Sequence, residues 1–80
     1  MSSQAILERI TPIFREVFND NELEVTLDLA TDEIDEWSSI TQALLLATLE
    51  KEFKIKFKLR EVIVMNDVAT IVSLIESKIE

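Results

Sequence analysis

The sequence predicts an all-α fold: a small four-helix bundle in one domain, residues 1–80, with three main helices, one short helix and a long loop between helices 1 and 2. Three observations carry this expectation. Apolar residues recur at three- and four-residue spacing in three separate segments, the signature of helices with one inward face. The run Lys54–Arg60 alternates with the period of a strand, but it is short and is read as having no mate. Glycine is absent, which removes most tight β-turns and any Gly-rich phosphate loop.

The first helix is read from Ser2 to Phe18, where Ile6, Leu7, Ile10, Ile13, Phe14, Val17 and Phe18 form one wide apolar face. Ser2 or Ser3 serves as its N-cap. Pro12 removes a helix hydrogen bond and crowds the preceding turn, at a cost of roughly 3 kcal/mol in a helix interior. Thr11-Pro12 also reads as a cap followed by proline at a first helical position. The expectation is therefore either a kink near residues 8–12 or two helical pieces. Asn19 ends the helix, because Asn tolerates the left-handed backbone that Gly would otherwise supply.

Residues 19–38 lack sustained helical periodicity. Nine acids and no base lie between Glu16 and Glu36, interspersed with Leu23, Val25, Leu27, Leu29 and Ile34. The stretch reads as a long loop pinned to the core by its aliphatic side chains, and a loop of that length in a small domain is usually functional or disordered. Ser39–Lys54 follows as the strongest helix, capped by Ser38 or Ser39. Its Ile40, Ala43, Leu44, Leu45, Leu46, Ala47, Leu49 and Phe53 cover more than half the circumference, more than one buried face requires. The alternating run Lys54–Arg60 is read as a loop entering a short helix near Leu59–Val64. Asp67 caps a last helix, Val68–Ile79, with Val68, Ile71, Val72, Ile75 and Ile79 on one face. Phe14, Leu45, Leu49, Phe53, Val68, Val72 and Ile75 are the expected core.

Composition narrows the chemistry. Eight basic against sixteen acidic residues give a net charge of −8, unsuited to non-specific nucleic-acid or anionic-lipid binding. Cys is absent, so disulfides and thiolate zinc sites are excluded, and any thiol chemistry must be imported on a cofactor. His is absent too, which removes the commonest general base. No apolar run approaches membrane-spanning length, and the N-terminus lacks a basic region followed by an apolar stretch. A monomeric protein of the cytoplasm is the expectation. Asp32, Glu33, Asp35 and Glu36 read as a solvated acidic surface, since the sharp turn of a calcium loop needs Gly; no metal site is expected. Trp37 reads as a lid over the core, with a ligand anchor as its other reading. Ser38-Ser39 has no His to serve as general base, and on residue types alone it is a helix cap.

The run Asp35-Glu36-Trp37-Ser38-Ser39-Ile40-Thr41, followed by an apolar helix ending in Leu49-Glu50-Lys51-Glu52-Phe53, resembles the acyl carrier protein family. That family usually shows Asp-Ser-Leu at the start of its second helix, and carriers with Trp-Asp-Ser-Leu look closest. Thr31–Ile79 matches without a gap, with Ile55 and Phe57 on apolar loop positions and Val62 and Met65 on the third helix and its exit. Residues 1–30 match only by helix length and apolar spacing.

The resemblance implies a carrier, not an enzyme. The family serine, Ser39 by this alignment, is esterified by 4′-phosphopantetheine from coenzyme A, and the arm's thiol carries acyl groups as thioesters. Ser38, Trp37 and Ile40 flank it. The implied partners are a phosphopantetheinyl transferase and acyl-transferring or acyl-activating enzymes. A phosphodiester suits a helix N-terminus, where unpaired N–H groups and the positive dipole end face it. The departures point to specialisation. Ser38 replaces the family's Asp, and Lys54 stands where glycine is usual. Gln42, Leu44 and Thr48 stand where acids are often found. Helical spacing sets Ala43, Leu44, Ala47 and Glu50 on one side as a docking surface, with Leu44 either exposed there or part of the core. A specialised fatty-acyl, lipid or polyketide pathway is the leading expectation. An unmodified interaction domain and a peptidyl or aminoacyl carrier are the alternatives.

Overall fold

The computed structural model describes residues 2–79, which form four α-helices: α1 (Ser3–Val17), α2 (Ser39–Phe53), α3 (Leu59–Ile63) and α4 (Val68–Ile79). A single 3-10 turn, Thr31–Glu33, interrupts the long connection between α1 and α2. α1 packs against both α2 and α4. The core is built from Ile6, Ile10 and Phe14 of α1, Leu45, Leu49 and Phe53 of α2, and Val68, Ile71, Val72 and Ile75 of α4. All seven residues expected in the core are buried.

α1 starts at the Ser2 cap, whose hydroxyl accepts from the Ala5 N–H at 3.2 Å. It then runs as one helix through Pro12, so the two-piece alternative does not form. Pro12 and Glu8 both lie on the exposed side of α1, where water can reach the Glu8 carbonyl that lost its donor. Thr11 does not cap a second piece: its hydroxyl donates back to the Leu7 carbonyl at 2.8 Å. At the other end Asn19 turns left-handed at φ 53, as its side chain predicts. The Asp20 N–H reaches the Arg15 carbonyl at 2.9 Å and the Asn19 N–H reaches Glu16 at 3.3 Å, which closes the helix in a Schellman arrangement.

The long acidic loop is held at defined points. Val25 and Ile34 are buried, and the Arg15 guanidinium donates from Nε to the Leu23 carbonyl at 2.9 Å. An isolated antiparallel bridge, Ala30 to Asp67, joins the loop to the α3–α4 connection. In it the Thr31 N–H bonds the Asn66 carbonyl at 3.0 Å and the Val68 N–H bonds Leu29 at 2.9 Å. No strand forms among the described residues beyond this bridge. In the Lys54–Arg60 run, Ile55 is buried and Phe57 packs on the core, while Lys54, Lys56 and Lys58 point to solvent. The alternation is thus a loop with two apolar anchors.

Lys54 is the second left-handed residue, at φ 57, and it ends α2 where glycine would be free of strain. α3 is capped by Glu61, whose carboxylate accepts from the Lys58 N–H at 2.7 Å. It also pairs with the Lys78 ammonium of α4 at 2.9 Å. Lys78 first, and the Lys58 N–H second, hold the Glu61 carboxyl below the ordinary glutamate value. Asp67 caps α4 by accepting from the Thr70 N–H at 2.8 Å, and that bond lowers its pKa. No described helix is long and apolar enough to cross a membrane.

Candidate functional site: the start of α2

The two adjacent serines do different things. Ser38 is the N-cap of α2: its hydroxyl accepts from the Thr41 N–H at 3.2 Å, while the Thr41 hydroxyl accepts from the Ser38 N–H at 2.8 Å. This reciprocal box engages the Ser38 N–H and its hydroxyl oxygen. A neutral serine fills the capping role as well as an aspartate would, because both are strong N-caps. Ser39 is the first helical residue and is exposed, and among the described residues no hydrogen bond engages its hydroxyl. The first helix bond runs from the Gln42 N–H to the Ser38 carbonyl at 2.8 Å. The N–H groups of Ser39 and Ile40 have no partner within the helix and add their dipoles to its positive end. A hydroxyl beside two unpaired donors is a fitting place for a phosphodiester.

Trp37 is half-buried. Its ring stacks on Phe18 with centroids 5.3 Å apart and planes 20° apart, and its Nε1–H donates to the Gln42 side-chain oxygen at 3.2 Å. It closes the core just before α2 and fixes how the chain enters the helix. Thr41 and Gln42 therefore do more than sequence reasoning assigned them. Neither had a clear sequence signal: the usual Ser-x-x-Glu/Gln box would match Ser39 and Gln42, and the Gln42 contact depends on where Trp37 packs.

On the outward face of α2, Ala43 and Ala47 are exposed, Ile40 is 79% exposed and Leu44 is 53% exposed. Leu44 is thus outside the core, the first of its two alternatives. Glu50 lies at the edge of that face and is half-buried. Its carboxylate accepts from the Phe57 N–H at 2.8 Å, so it helps hold the loop after α2. The acids before the site do not converge: Glu33 accepts from the Ala30 N–H at 2.8 Å, while Asp35 and Glu36 face solvent. Among the described residues there is no group of three or more side chains suited to hold a metal ion.

No family model matches the chain, and no curated protein matches it. Its structure is similar to the solution NMR structure of holo acyl carrier protein from Geobacter metallireducens, with a TM-score of 0.85 and 36% sequence identity over 90% of this chain and 83% of that one. Identity at that level across nearly the whole of both chains carries more than a shared helical layout. With a capped helix that opens on an exposed serine, it establishes that this chain belongs to the acyl carrier protein family.

Proposed function

We propose that the chain carries acyl groups as thioesters on a 4′-phosphopantetheine arm joined to the Ser39 hydroxyl. The observation that supports this most is the division of labour between the serines: Ser38 is committed to the cap, and the Ser39 hydroxyl is exposed and unengaged. The arm supplies the thiol that a chain without cysteine lacks. The chain's own part is to present that hydroxyl at the positive end of α2, where the Ser39 and Ile40 N–H groups stabilise the phosphodiester. Trp37, held by Phe18 and Gln42, ties this end of the helix to the core. In this reading the protein is a shuttle, with catalysis supplied by a phosphopantetheinyl transferase and by acyl-transferring or acyl-activating enzymes. The apolar outward face of α2 favours dedicated partners in a specialised fatty-acyl, lipid or polyketide pathway.

The test is intact mass after incubation with coenzyme A and a broad-specificity phosphopantetheinyl transferase. Wild type and Ser38→Ala should each gain one phosphopantetheine, and Ser39→Ala none. Loss of the Ser38 cap costs about 1 kcal/mol, which leaves the domain folded. Modification of Ser39→Ala but not of Ser38→Ala would move the attachment site by one residue. No modification with any of several transferases would favour an unmodified interaction domain.

A further inference from the structure

Five of the eight cationic residues lie between Lys51 and Arg60: Lys51, Lys54, Lys56, Lys58 and Arg60, all exposed. None of them forms an ion pair among the described residues, where the two ion pairs are Arg9–Glu52 and Lys78–Glu61. Of the acids closest to the cluster in sequence, Glu52 and Glu61 are ion-paired with cations outside it, while Glu50 lies at its edge. Glu52 is held by Arg9, which also lies over the Phe53 ring, 4.6 Å from its centroid. Glu61 is held by Lys78, and Glu50 by the Phe57 N–H. A protein of net charge −8 thus keeps a region of net positive charge, five cations with Glu50 as the nearby acid not ion-paired, separate in sequence from the acidic 16–36 stretch.

This region continues the exposed face of α2. Ile40, Ala43, Leu44, Ala47 and Lys51 follow one another at three- and four-residue steps, on the side opposite buried Leu45, Leu49 and Phe53. Ala47, Lys51, Lys54 and Lys56, with Glu50 and Ile55, line one open depression of about 370 Å³. The face is apolar near Ser39 and basic at its far end.

We propose that this face docks a protein partner whose contact surface combines an apolar side chain with a patch of carboxylates. The apolar group lies against Leu44 and Ala47, and the carboxylates lie against Lys51, Lys54 and Lys56. The proposal deepens the carrier reading by specifying the partner's chemistry, and the docking itself does not require the arm. At physiological ionic strength the Debye length is about 8 Å, so charges farther than that from the contact are largely screened and the cations at the face weigh most. Complementary charge orients the encounter and excludes basic surfaces, which the lysines repel and the 16–36 stretch attracts. A bilayer or nucleic acid presents an extended anionic surface and is repelled by the rest of a −8 protein, so a discrete acidic patch is favoured.

The experiment is an NMR titration of the ¹⁵N-labelled full chain, as wild type and as Ser39→Ala. The probes are a designed helical peptide of Leu and Glu, its Leu and Lys counterpart, and phosphatidylglycerol–phosphatidylcholine vesicles. The Leu/Glu peptide should shift the amides of Ala43, Leu44, Ala47, Lys51, Lys54 and Lys56 in both proteins, and added salt should weaken it. Lys54→Glu with Lys56→Glu should lower its affinity at least about tenfold, and the paired Gln changes should lower it less. Unaltered melting temperatures of both double variants establish that the fold survives. The proposal is overturned by shifts confined to other surfaces, by equal binding of the Leu/Lys peptide at this face, by an unchanged affinity on charge reversal, or by vesicles binding here when the acidic peptide does not. Because Ser39→Ala is titrated alongside wild type, failure of the arm to attach and failure of docking are read separately.

Discussion

Leu44 and Leu49 are the same residue type on the same helix, one 53% exposed and the other fully buried. Truncating each to alanine isolates the effect of burial. Leu49 packs in the core that α2 shares with α1 and α4, where Leu→Ala costs about 2–5 kcal/mol: the transfer of the lost carbons plus the cavity they leave. An 80-residue domain at roughly 0.05–0.15 kcal/mol per residue has about 4–12 kcal/mol in total, so the change removes a large share of it. At roughly 4–8 °C per kcal/mol for a domain of this size, the Leu49→Ala melting temperature should fall by at least about 8 °C. Leu44→Ala leaves no cavity and should stay within about 0.5 kcal/mol of wild type. Thermal melts followed by circular dichroism, with urea titrations to obtain free energies, measure both. Equal losses from the two variants, or a neutral Leu49→Ala, would refute the assignment of faces to α2. They would also remove the exposed surface on which partner docking depends.

Lys54→Gly should stabilise the protein by about 0.5–1 kcal/mol, because glycine adopts the left-handed geometry at φ 57 without the Cβ clash; a destabilised variant in urea unfolding would argue against strain there. The Glu61 carboxyl titrates below its ordinary value of 4.5, so the stability it contributes is complete above that value and is lost as pH falls through the lower folded value. Lys78→Met removes the leading cause of the shift. The stability difference between wild type and this variant should therefore shrink as pH falls below 4.5, and a difference independent of pH would contradict the linkage.

Much of the fold was legible because its local signals agree with one another. The helix limits follow from Ser2, Ser38, Asp67 and Asn19, each of which caps or closes the backbone as its side chain predicts. The apolar faces of α1 and α4 identify their own core residues, since three- and four-residue spacing leaves only one side to bury. A serine at the head of the second helix was equally visible, in the helix-capping preference of the residue type and in its resemblance to a family motif.

Other features required the neighbours. Pro12 left a kink or two helical pieces open, and α1 runs on as one helix with Glu8 and Pro12 on its exposed side. The path of residues 19–38 depends on Val25 and Ile34 finding the core and on Ala30 meeting Asp67, pairings remote in sequence. Which of Ser38 and Ser39 caps was ambiguous from residue type and was decided by the reciprocal bonds with Thr41. α2 is the clearest case. Apolar residues surround most of it, so periodicity alone cannot rank Leu44 against Leu45 or Leu49. Packing against α1 within the common core buries Leu45 and Leu49 and turns Leu44 outward, because a helix apolar on most sides acquires an inside only from what covers it.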